Sequence, residues 1–452
     1  MKTIAQIAAE LQGYDPQALS AADVNAFLHR LVEPLTATET LPLFNALGRV
    51  LAEDVVSPIS VPPHDNSAMD GYAFAGAQLM PGQPLTLRVV GTALAGKAWA
   101  GTVGPGECVK IMTGAIMPAG LDTVVPQEFT TAGAEGHITI AADVLKTGDN
   151  RRFKGEDLMQ GSVALARGAL LTPAALGLVA SLGLPTVTVF RRLRVAYFST
   201  GDEILSLGEP PREGAVYDSN RYTVFGLLTR LGVEVIDLGV VRDDPAQLEA
   251  AFRTAARRAD AIITSGGVSV GEADHTRTMM KKLGDVAFWR IAMRPGRPMA
   301  VGRIAATEKN RAKSASSAYP SSAGSYQNDI EAPSGGAVLF GLPGNPVAVM
   351  VTFLAFVRPA LLRMMGSTHT APPLLRATST EAMRKKSGRT EYQRGLVTTA
   401  ADGTLHVRTT GNQGSGVLSS MVQANGLIVL HHGQGNVAVG DPVDVMVFDG
   451  VI

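Results

Sequence analysis

The chain has 452 residues and is poor in cysteine, in aromatic residues and in long apolar runs. Cys108 is its single cysteine, which excludes an internal disulfide framework and a zinc site built from several cysteines. The eight histidines do not form a His-Glu-x-x-His motif, so we do not expect a transition-metal site made of histidine and cysteine. The longest apolar tract, residues 347–357, is about half as long as a membrane-spanning helix.

Neither sign of charge is in excess, because forty Lys and Arg residues balance forty Asp and Glu residues. Proteins that neutralise many phosphates usually carry a basic excess or basic blocks, so nucleic acid is not an expected partner. A local cluster of arginines could still bind a small anion. Glu10 and other polar residues interrupt the N-terminal segment where a secretory signal would be apolar. We therefore expect a cytoplasmic protein without a membrane partner.

The composition of the chain changes several times, and each change indicates a domain boundary. Apolar residues at helical spacing flank a stretch rich in glycine, proline and short β-branched runs, which predicts a β-rich module inserted into a helical layer. We predict a discontinuous helical linking domain at 18–57 and 149–190, the inserted β-rich module at 58–148, an α/β domain at 191–370 and an all-β terminal domain at 371–452.

Strands and helices alternate within the α/β domain, a pattern typical of a parallel sheet. Strands are predicted at 194–199, 233–241, 261–264 and 337–340, and helices are predicted after Asp218 and Asp244. Three of these strands end in glycine-rich turns, and open α/β sheets bind ligands at that edge. Residues 307–336 contain many serines without apolar periodicity, which predicts a flexible surface insertion whose deletion costs little stability.

Four groups of polar residues are candidates for function, and each also has a simpler explanation. The loop at 62–73, with Asp70, could be ordinary turn chemistry. The acidic residues Asp157, Glu203, Asp243 and Asp274 could be solvated surface carboxylates, although together they favour a site for Mg²⁺. Glycine-rich residues 264–274 could turn backbone N–H groups toward an anion or could form only a tight turn.

Three arginines form the fourth group, in the segment RIAMRPGRP at 290–298, which contains no acidic residue. Guanidinium groups bind phosphate-like oxyanions in a forked geometry, so this segment predicts an anion site. The alternative is a solvated basic loop. Arg394 and Ser415, in the terminal domain, are further candidates whose simpler explanation is an exposed hairpin.

Seven segments, in this order along the chain, resemble the molybdopterin molybdenumtransferase family, the molybdenum-insertion enzymes related to the C-terminal domain of gephyrin. They are DNSAMDGYA at 65–73, IMTGAIMP at 111–118, RRFKGED at 151–157, STGDE at 199–203, SGGVSVGEAD at 265–274, RPGRP at 294–298 and GLPGNPV at 341–347. Each segment alone is weak evidence, but seven in the same order are specific. The resemblance extends from about residue 41 to 448, apart from the serine-rich insertion.

The resemblance implies a multidomain α/β plus β subunit, with a discontinuous helical layer, an inserted β-rich module, an α/β molybdopterin-binding domain and a small C-terminal β-barrel. It implies a homodimer whose cleft combines the α/β domain of one copy with the 65–73 module of the other. The implied reaction inserts molybdate into adenylylated molybdopterin, with Mg²⁺-dependent release of AMP, and yields molybdenum cofactor. A molybdopterin adenylyltransferase and molybdoenzyme chaperones are the further partners that it implies.

The resemblance also assigns roles to individual positions of this chain. It assigns catalysis to Asp70, Glu203, Asp243 and Asp274, with Asp243 and Asp274 expected to contact Mg²⁺ or pterin phosphate. Substrate binding is assigned to Thr113, Asp157, Ser265, Gly266, Gly267, Arg290, Arg294, Arg297, Pro298, Arg394 and Ser415.

This chain departs from the family pattern at two places. Arg290, Arg294 and Arg297 stand where the family commonly has lysine, so planar forks replace point charges. Ala348 stands where the family usually has serine, which removes a hydroxyl near the predicted oxyanion pocket. These departures leave open the preference for molybdate or tungstate. Ala348, together with the serine-rich insertion, leaves open the alternative of a non-catalytic pterin-binding or scaffolding protein on the same fold.

Overall fold

The computed structural model of the chain describes residues 2–268, 275–306 and 336–448. The predicted site residue Asp274 and nearly all of the predicted insertion at 307–336 lie outside these residues. The chain divides into two compact units. Unit 1 comprises Met1–Glu39, Gly48–Val50 and Phe190–Ile452, and unit 2 comprises Thr40–Leu47 and Leu51–Val189.

The helices, in chain order, are α1 (Ile4–Ala9), α2 (Ala21–Leu31), α3 (Pro173–Ser181), α4 (Ser219–Arg230), α5 (Pro245–Arg258), α6 (His275–Leu283), α7 (Pro346–Thr352), α8 (Arg358–Met364) and α9 (Ser419–Gln423). A π-helical turn lies at Phe353–Val357, and 3₁₀ turns lie at Leu43–Asn45, Gly76–Gln78, Gln127–Phe129 and Ala134–Gly136.

The strands are β1 (Thr38–Pro42), β2 (Val55–Val56), β3 (Asn66–Ser67), β4 (Gly71–Phe74), β5 (Leu85–Ala93), β6 (Glu107–Ile111), β7 (Thr123–Pro126), β8 (Thr130–Ala132), β9 (His137–Ile140), β10 (Arg151–Arg152), β11 (Val163–Leu165), β12 (Thr186–Phe190), β13 (Arg194–Thr200), β14 (Ile204–Leu205), β15 (Val216–Tyr217), β16 (Glu234–Val241), β17 (Ala261–Ser265), β18 (Gly284–Arg290), β19 (Met293–Arg294), β20 (Pro298–Ile304), β21 (Ala337–Leu342), β22 (Leu375–Ser379), β23 (Thr390–Thr399), β24 (Leu405–Thr409), β25 (Gly426–Leu430) and β26 (Pro442–Val447).

The central sheet of unit 1 has the strand order β16-β13-β17-β21-β20-β18. The first four strands are parallel, which confirms the parallel sheet predicted from the alternation of strands and helices. The other half differs from that prediction, because β20 pairs antiparallel with both β21 and β18. The connection between β18 and β20 is too short for a crossover helix, so the chain returns antiparallel.

Both predicted helix starts in the α/β domain are confirmed. Asp218 caps α4, where its carboxylate accepts the N–H of Arg221, and Asp244 caps α5, where its carboxylate accepts the N–H of Gln247. Each cap satisfies a backbone donor that the first helical turn leaves free. Pro245 occupies the first turn of α5, where its fixed φ and missing N–H cost nothing.

One buried ion pair lies at the start of β17 in unit 1. Asp260 is 5% exposed, and its two carboxylate oxygens accept both terminal nitrogens of Arg191, at 2.8 and 2.7 Å. The backbone N–H of Arg194 donates to the same carboxylate at 2.8 Å. Because Arg194 begins β13, this carboxylate holds the starts of two neighbouring strands of the sheet together.

The apolar tract at 347–357 belongs to a continuous helical run formed by α7, the π-helical turn and α8. This run, Pro346–Met364, is long and apolar enough to cross a membrane by length and composition alone. Its most apolar window is 78% buried inside the protein, which is the burial expected of a core helix.

The C-terminal part of unit 1 is a small closed barrel. Strands β23, β24, β22, β26 and β25 follow one another around it, and β25 pairs again with β23. Ile428, Leu430 and Val445 are fully buried in its core. The predicted fold class, α/β plus β with a small C-terminal barrel, is therefore confirmed.

Unit 2 contains a six-stranded sheet with the order β7-β4-β6-β5-β9-β8. This sheet matches the β-rich composition of the sequence between residues 58 and 148. Residues 149–190 hold one α-helix, α3, together with the strands β10, β11 and β12. Helix α2 groups with unit 1, where it packs against α8. The exact boundaries of the four predicted domains stay predictions.

We expect Asp260→Asn to lower the free energy of unfolding of unit 1 by roughly 2 kcal/mol, because it leaves the partly buried Arg191 guanidinium, 25% exposed, without its charge partner. Urea unfolding followed by Trp289 fluorescence, in a Trp99→Phe background, measures unit 1 alone. Glu10→Gln is the matched control, because its ion pairs with Lys2 and Arg30 lie on the surface and should contribute little. Equal stability of the two variants would contradict the prediction.

Candidate functional site

The glycine turn after β17 lies at the carboxyl edge of the parallel strands. Gly266 and Gly267 have φ of +89° and +65°, and a Cβ on Gly266 would lie 2.5 Å from the carbonyl oxygen of Thr200. Glycine is therefore required for this close approach to β13. The N–H of Gly266 donates to the carbonyl of Leu342 on β21, so it is not directed at a ligand as the sequence suggested. The turn thus joins three strand ends.

The hydroxyl of Ser265, the last residue of β17, is also hydrogen-bonded within the protein. It is 3% exposed, and its hydroxyl lies 2.7 Å from that of Tyr197 and 3.3 Å from that of Ser199. Burial raises the pKa of Tyr197 well above its ordinary value, so the phenol stays a neutral hydrogen-bonding group. Ser265 therefore supports the turn from beneath, and a direct contact with substrate stays a prediction.

The predicted acidic residues Glu203 and Asp243 lie on the loops after β13 and β16. The N–H of Asp243 donates to the Asp202 carboxylate at 3.2 Å, which joins the two loops. The Thr276 hydroxyl lies 3.4 Å from Asp243 and 2.9 Å from the Thr200 hydroxyl. The Glu203 carboxylate lies against Gly201, where a Cβ would be 2.6 Å from it. Carboxylates from two loops therefore meet at one edge of the sheet, which we name the acidic edge.

The segment at 290–298 forms the hairpin between β18 and β20. Arg290 lies opposite Pro298 in the antiparallel ladder, and the N–H of Ile291 donates to the carbonyl of Arg297 at 2.7 Å. This register brings Arg290 and Arg297 to the same end of the hairpin. Both side chains line a pocket of about 240 Å³, which we name the arginine pocket. Its lining residues are Gln17, Val268, Arg277, Phe288, Trp289, Arg290, Arg297 and Pro298.

Every charged residue in the described lining of the arginine pocket is positive. Three of them are arginines and none is acidic. The guanidinium of Arg277 lies 4.5 Å from the centre of the Phe288 ring, a cation–π contact that fixes its plane. Three guanidinium groups in a small partly enclosed space favour a bound oxyanion with several negative oxygens.

The acidic edge and the arginine pocket are neighbours along α6. Thr276 contacts Asp243 of the acidic edge, and the next residue, Arg277, lines the pocket. Gly267 packs against the Thr276 side chain, where a Cβ would be 2.5 Å away, and the next residue, Val268, also lines the pocket. One helix start and one glycine turn therefore border both regions.

The tip of the hairpin packs against α7. Gly296 has φ of +92°, and a Cβ there would lie 2.7 Å from the Thr352 side chain. Ala348 is 3% exposed, and its carbonyl accepts the Thr352 hydroxyl at 2.6 Å. The residue that replaces the family serine is therefore buried in the hairpin–helix contact.

Arg394 of β23 is buried and bonded within the barrel. It is 1% exposed, and its guanidinium donates to the carbonyls of Asn412 and Gly414 and to the Ser420 hydroxyl. Burial, with the nearby positive charge of Arg294, lowers the pKa of Arg394 to about 10. Arg394 therefore shapes the glycine-rich loop at 411–416, and a direct contact with an oxyanion stays a prediction.

Ser415 lies on this glycine-rich loop and contacts the loop before α7. The Asn345 amide nitrogen donates to the Ser415 hydroxyl at 3.1 Å, and the N–H of Val347 donates to the Ser415 carbonyl at 3.2 Å. Arg294 approaches the barrel separately, because β19 pairs with β23. The predicted residues Arg294, Arg394 and Ser415 therefore lie on segments that are bonded to one another.

In unit 2 the predicted residues Asp70 and Thr113 are in direct contact. The backbone N–H and the hydroxyl of Thr113 both donate to one carboxylate oxygen of Asp70, each at 2.7 Å. These two donors, the backbone N–H most strongly, lower the pKa of the Asp70 carboxyl. The Asp70 side chain is exposed, so an ionised carboxylate with a fixed orientation faces outward.

A second carboxylate holds the same loop in place. Asp65 accepts the Arg151 guanidinium and, at 2.7 Å, the backbone N–H of Lys154. That N–H, together with Arg151, lowers the pKa of Asp65. Asp157 is exposed, and its N–H donates to the carbonyl of Val61 at 3.1 Å. Asp65 and Arg151 therefore join two of the family segments.

Family comparisons match three successive parts of the chain. Residues 19–183 match the family described as MoeA N-terminal region, domains I and II. Residues 196–363 match a probable molybdopterin binding domain, and residues 376–448 match the MoeA C-terminal region, domain IV. The molybdopterin molybdenumtransferase of Haemophilus influenzae is 41% identical over 92% of this chain and 95% of its own length. The chain belongs to the molybdopterin molybdenumtransferase family.

A more distant relative and two solved structures support the same family assignment. The molybdopterin molybdenumtransferase of Nostoc sp. is 34% identical over 96% of this chain and 95% of its own. A crystal structure of the molybdopterin biosynthesis MoeA protein from Pyrococcus horikoshii covers 95% of this chain and all of its own, at 25% identity and a TM-score of 0.72. Another structure of a molybdopterin biosynthesis MoeA protein from Pyrococcus horikoshii has 28% identity, covers 96% of this chain and 99% of its own, and has a TM-score of 0.67. The predicted enzyme family is confirmed.

Four residues of the site were not among those predicted for this family member. Arg277 and Gln17 line the arginine pocket, Thr276 contacts Asp243, and Asn345 donates to Ser415. Asn345 lies inside the GLPGNPV segment, so its motif pointed to it. Gln17 precedes the region matched by the family, which begins at residue 19, so no motif could identify it.

Within the described ranges, no cluster of three or more His, Cys, Asp or Glu side chains has the spacing of a complete metal site. Mg²⁺ does not require such a cluster, because it is usually held by one or two carboxylates together with substrate phosphate and water. Asp243 with a neighbouring carboxylate of the acidic edge fits that smaller requirement. The other predicted ligand, Asp274, lies outside the described residues.

We expect Thr113→Val to raise the pKa of Asp70 while leaving it below its ordinary value, because the backbone N–H still donates. Since the contact lowers this pKa in the folded state, its stabilising effect is present above the ordinary carboxyl pKa and is lost as pH falls through the lowered value. Carboxyl ¹³C NMR of Asp70 measures the change. Thr86→Val is the control, because its hydroxyl contacts Thr139 instead. An unchanged Asp70 titration in Thr113→Val would contradict the assignment.

Proposed function

We propose that this chain inserts molybdate into adenylylated molybdopterin and releases AMP, giving molybdenum cofactor in the cytoplasm. The observation that carries the proposal is the arginine pocket, which borders the carboxylates of the acidic edge. Three arginines line this pocket, and none of its other described lining residues is acidic. An oxyanion suits the pocket, and a phosphate-bound cation suits the carboxylates. A substrate that carries both an oxyanion and a phosphoanhydride uses both regions at once.

The proposed reaction balances without a further reactant. Two Mo–S bonds form to the dithiolene and one Mo–O bond breaks, while the phosphoanhydride between pterin phosphate and AMP is cleaved. The oxygen and the two thiol protons released at molybdenum are equivalent to the water that the anhydride cleavage consumes. Release of AMP therefore accompanies insertion, and the enzyme must hold both reacting ends in one orientation.

Different residues bind the oxyanion and the cation. Arg290 and Arg297 neutralise the oxyanion in the pocket, and Arg294 adds positive charge beside the barrel. Mg²⁺, held by Asp243 with Asp274 and substrate phosphate oxygens, would neutralise charge that develops on the phosphoanhydride. Arg394 acts by holding the loop of Ser415, and Asn345 orients the Ser415 hydroxyl.

We expect Arg297→Ala to raise the KM for molybdate by about 10- to 100-fold, the loss typical of a hydrogen bond to a charged group. AMP release from adenylylated molybdopterin and molybdate, followed by chromatography, measures it. Arg376→Ala is the matched control, because Arg376 is 62% exposed and pairs with Asp444 on the barrel surface. Absence of AMP release by the unaltered chain would defeat the proposed reaction. Tight pterin binding in that case would favour the scaffolding alternative.

We further propose that the active enzyme is a homodimer in which Asp70 of one copy serves the α/β domain of the other, as in the family resemblance. Co-expressed Asp70→Asn and Arg297→Ala chains should then regain about a quarter of the activity, because half of the random dimers hold one intact site. Pairing Arg297→Ala with Arg290→Ala is the control, since both changes damage the same half of every site. No recovery in the first mixture would contradict a shared site.

A further inference from the structure

The N-terminal segment, residues 2–19, runs along strand β18. The N–H of Ile4 donates to the Asp285 carboxylate at 2.8 Å, and the N–H of Arg290 donates to the Pro16 carbonyl at 2.8 Å. Leu19 pairs in parallel with Ile291, and its carbonyl accepts the N–H of Ala292 at 2.7 Å. Strand β18 is the last strand of the central sheet, so this segment covers an edge that would otherwise expose unpaired backbone groups.

Aromatic contacts fix the segment beside the arginine pocket. The Trp289 indole N–H donates to the Tyr14 hydroxyl at 2.9 Å. The Phe27 ring lies 4.9 Å from Trp289, edge to face, and 5.9 Å from Tyr14, stacked. Trp289 directly precedes Arg290 and lines the pocket itself. The position of residues 14–19 is therefore tied to the strand that carries Arg290.

Gln17 lies between the two backbone attachments of this segment, at Pro16 and Leu19, and it is one of the residues that line the arginine pocket. Its backbone N–H donates to the Asp15 carboxylate at 2.9 Å, which fixes the turn. In the part of the chain that the structure describes, its exposed side-chain amide has no hydrogen-bond partner. The other neutral donor of the pocket lining, the Trp289 indole, already donates to Tyr14.

We propose that Gln17 is a further substrate-binding residue whose amide N–H donates to the oxyanion held by Arg290 and Arg297. This inference rests on the proposed function and names the N-terminal segment as part of the oxyanion site. Guanidinium groups supply charge to any tetrahedral dianion. A neutral amide donor on a fixed turn adds one more hydrogen bond to the anion without adding charge. A carboxylate at the same position would repel the anion instead.

The test measures binding of molybdate alone to the full-length protein by isothermal titration calorimetry. We expect Gln17→Leu to weaken molybdate binding about tenfold, because a donor to a charged acceptor is lost. Gln17→Glu should weaken it further, because the new carboxylate repels a dianion. Gln12→Leu and Gln12→Glu are the matched controls, since Gln12 is an exposed glutamine of the same segment that does not line the pocket. They should bind as the unaltered chain does.

Two readouts separate a ligand contact from a structural role. The melting temperature of Gln17→Leu should match that of Gln12→Leu, because the backbone attachments at Pro16 and Leu19 are kept. In AMP release, Gln17→Leu should raise the KM for molybdate with little change in kcat. Unchanged molybdate affinity in both Gln17 variants overturns this inference even if AMP is released. Weakened affinity without any AMP release supports the inference while defeating the proposed reaction.

Discussion

The rest of the site depends on one constraint: several positive charges lie close together at one short hairpin. Arg290 and Arg297 are placed together by the register of β18 and β20, and Arg277 joins them from α6. Close guanidinium groups repel each other unless an anion neutralises them. The surrounding contacts keep the hairpin backbone that carries Arg290 and Arg297 in place before any ligand binds, so the backbone is ordered during folding rather than during binding.

Three supports hold this arrangement, and each comes from a different part of unit 1. Trp289 and the N-terminal segment fix one side of the hairpin, Gly296 and Thr352 fix its tip, and the pairing of β19 with β23 attaches it to the barrel. Arg394 performs a related task inside the barrel, where its buried guanidinium shapes the Ser415 loop. Arginine thus serves two purposes here, as a charge that faces the pocket and as a buried set of donors.

The substitution of lysine by arginine at three positions fits this geometry. A planar arginine fork can offer two parallel N–H donors to an oxyanion, whereas a lysine ammonium is a compact point charge. The buried Ala348 belongs to the packing between hairpin and helix. The absence of a hydroxyl at position 348 therefore changes the packing that supports the pocket. The charged residues that line the pocket are unchanged.

The local sequence was sufficient to predict the strands β13, β16, β17 and β21, the helix caps at Asp218 and Asp244, and the family segments. Each of these features depends on residues that are neighbours along the chain. The same reasoning grouped Asp70 with Thr113 and Arg290 with Arg297 only as members of motifs. Tertiary structure decided which of them touch, turned Ser265, Gly266 and Arg394 inward, and brought Gln17 and Arg277 to the pocket. Strand pairing and burial join residues far apart in sequence, and no local pattern records such pairings.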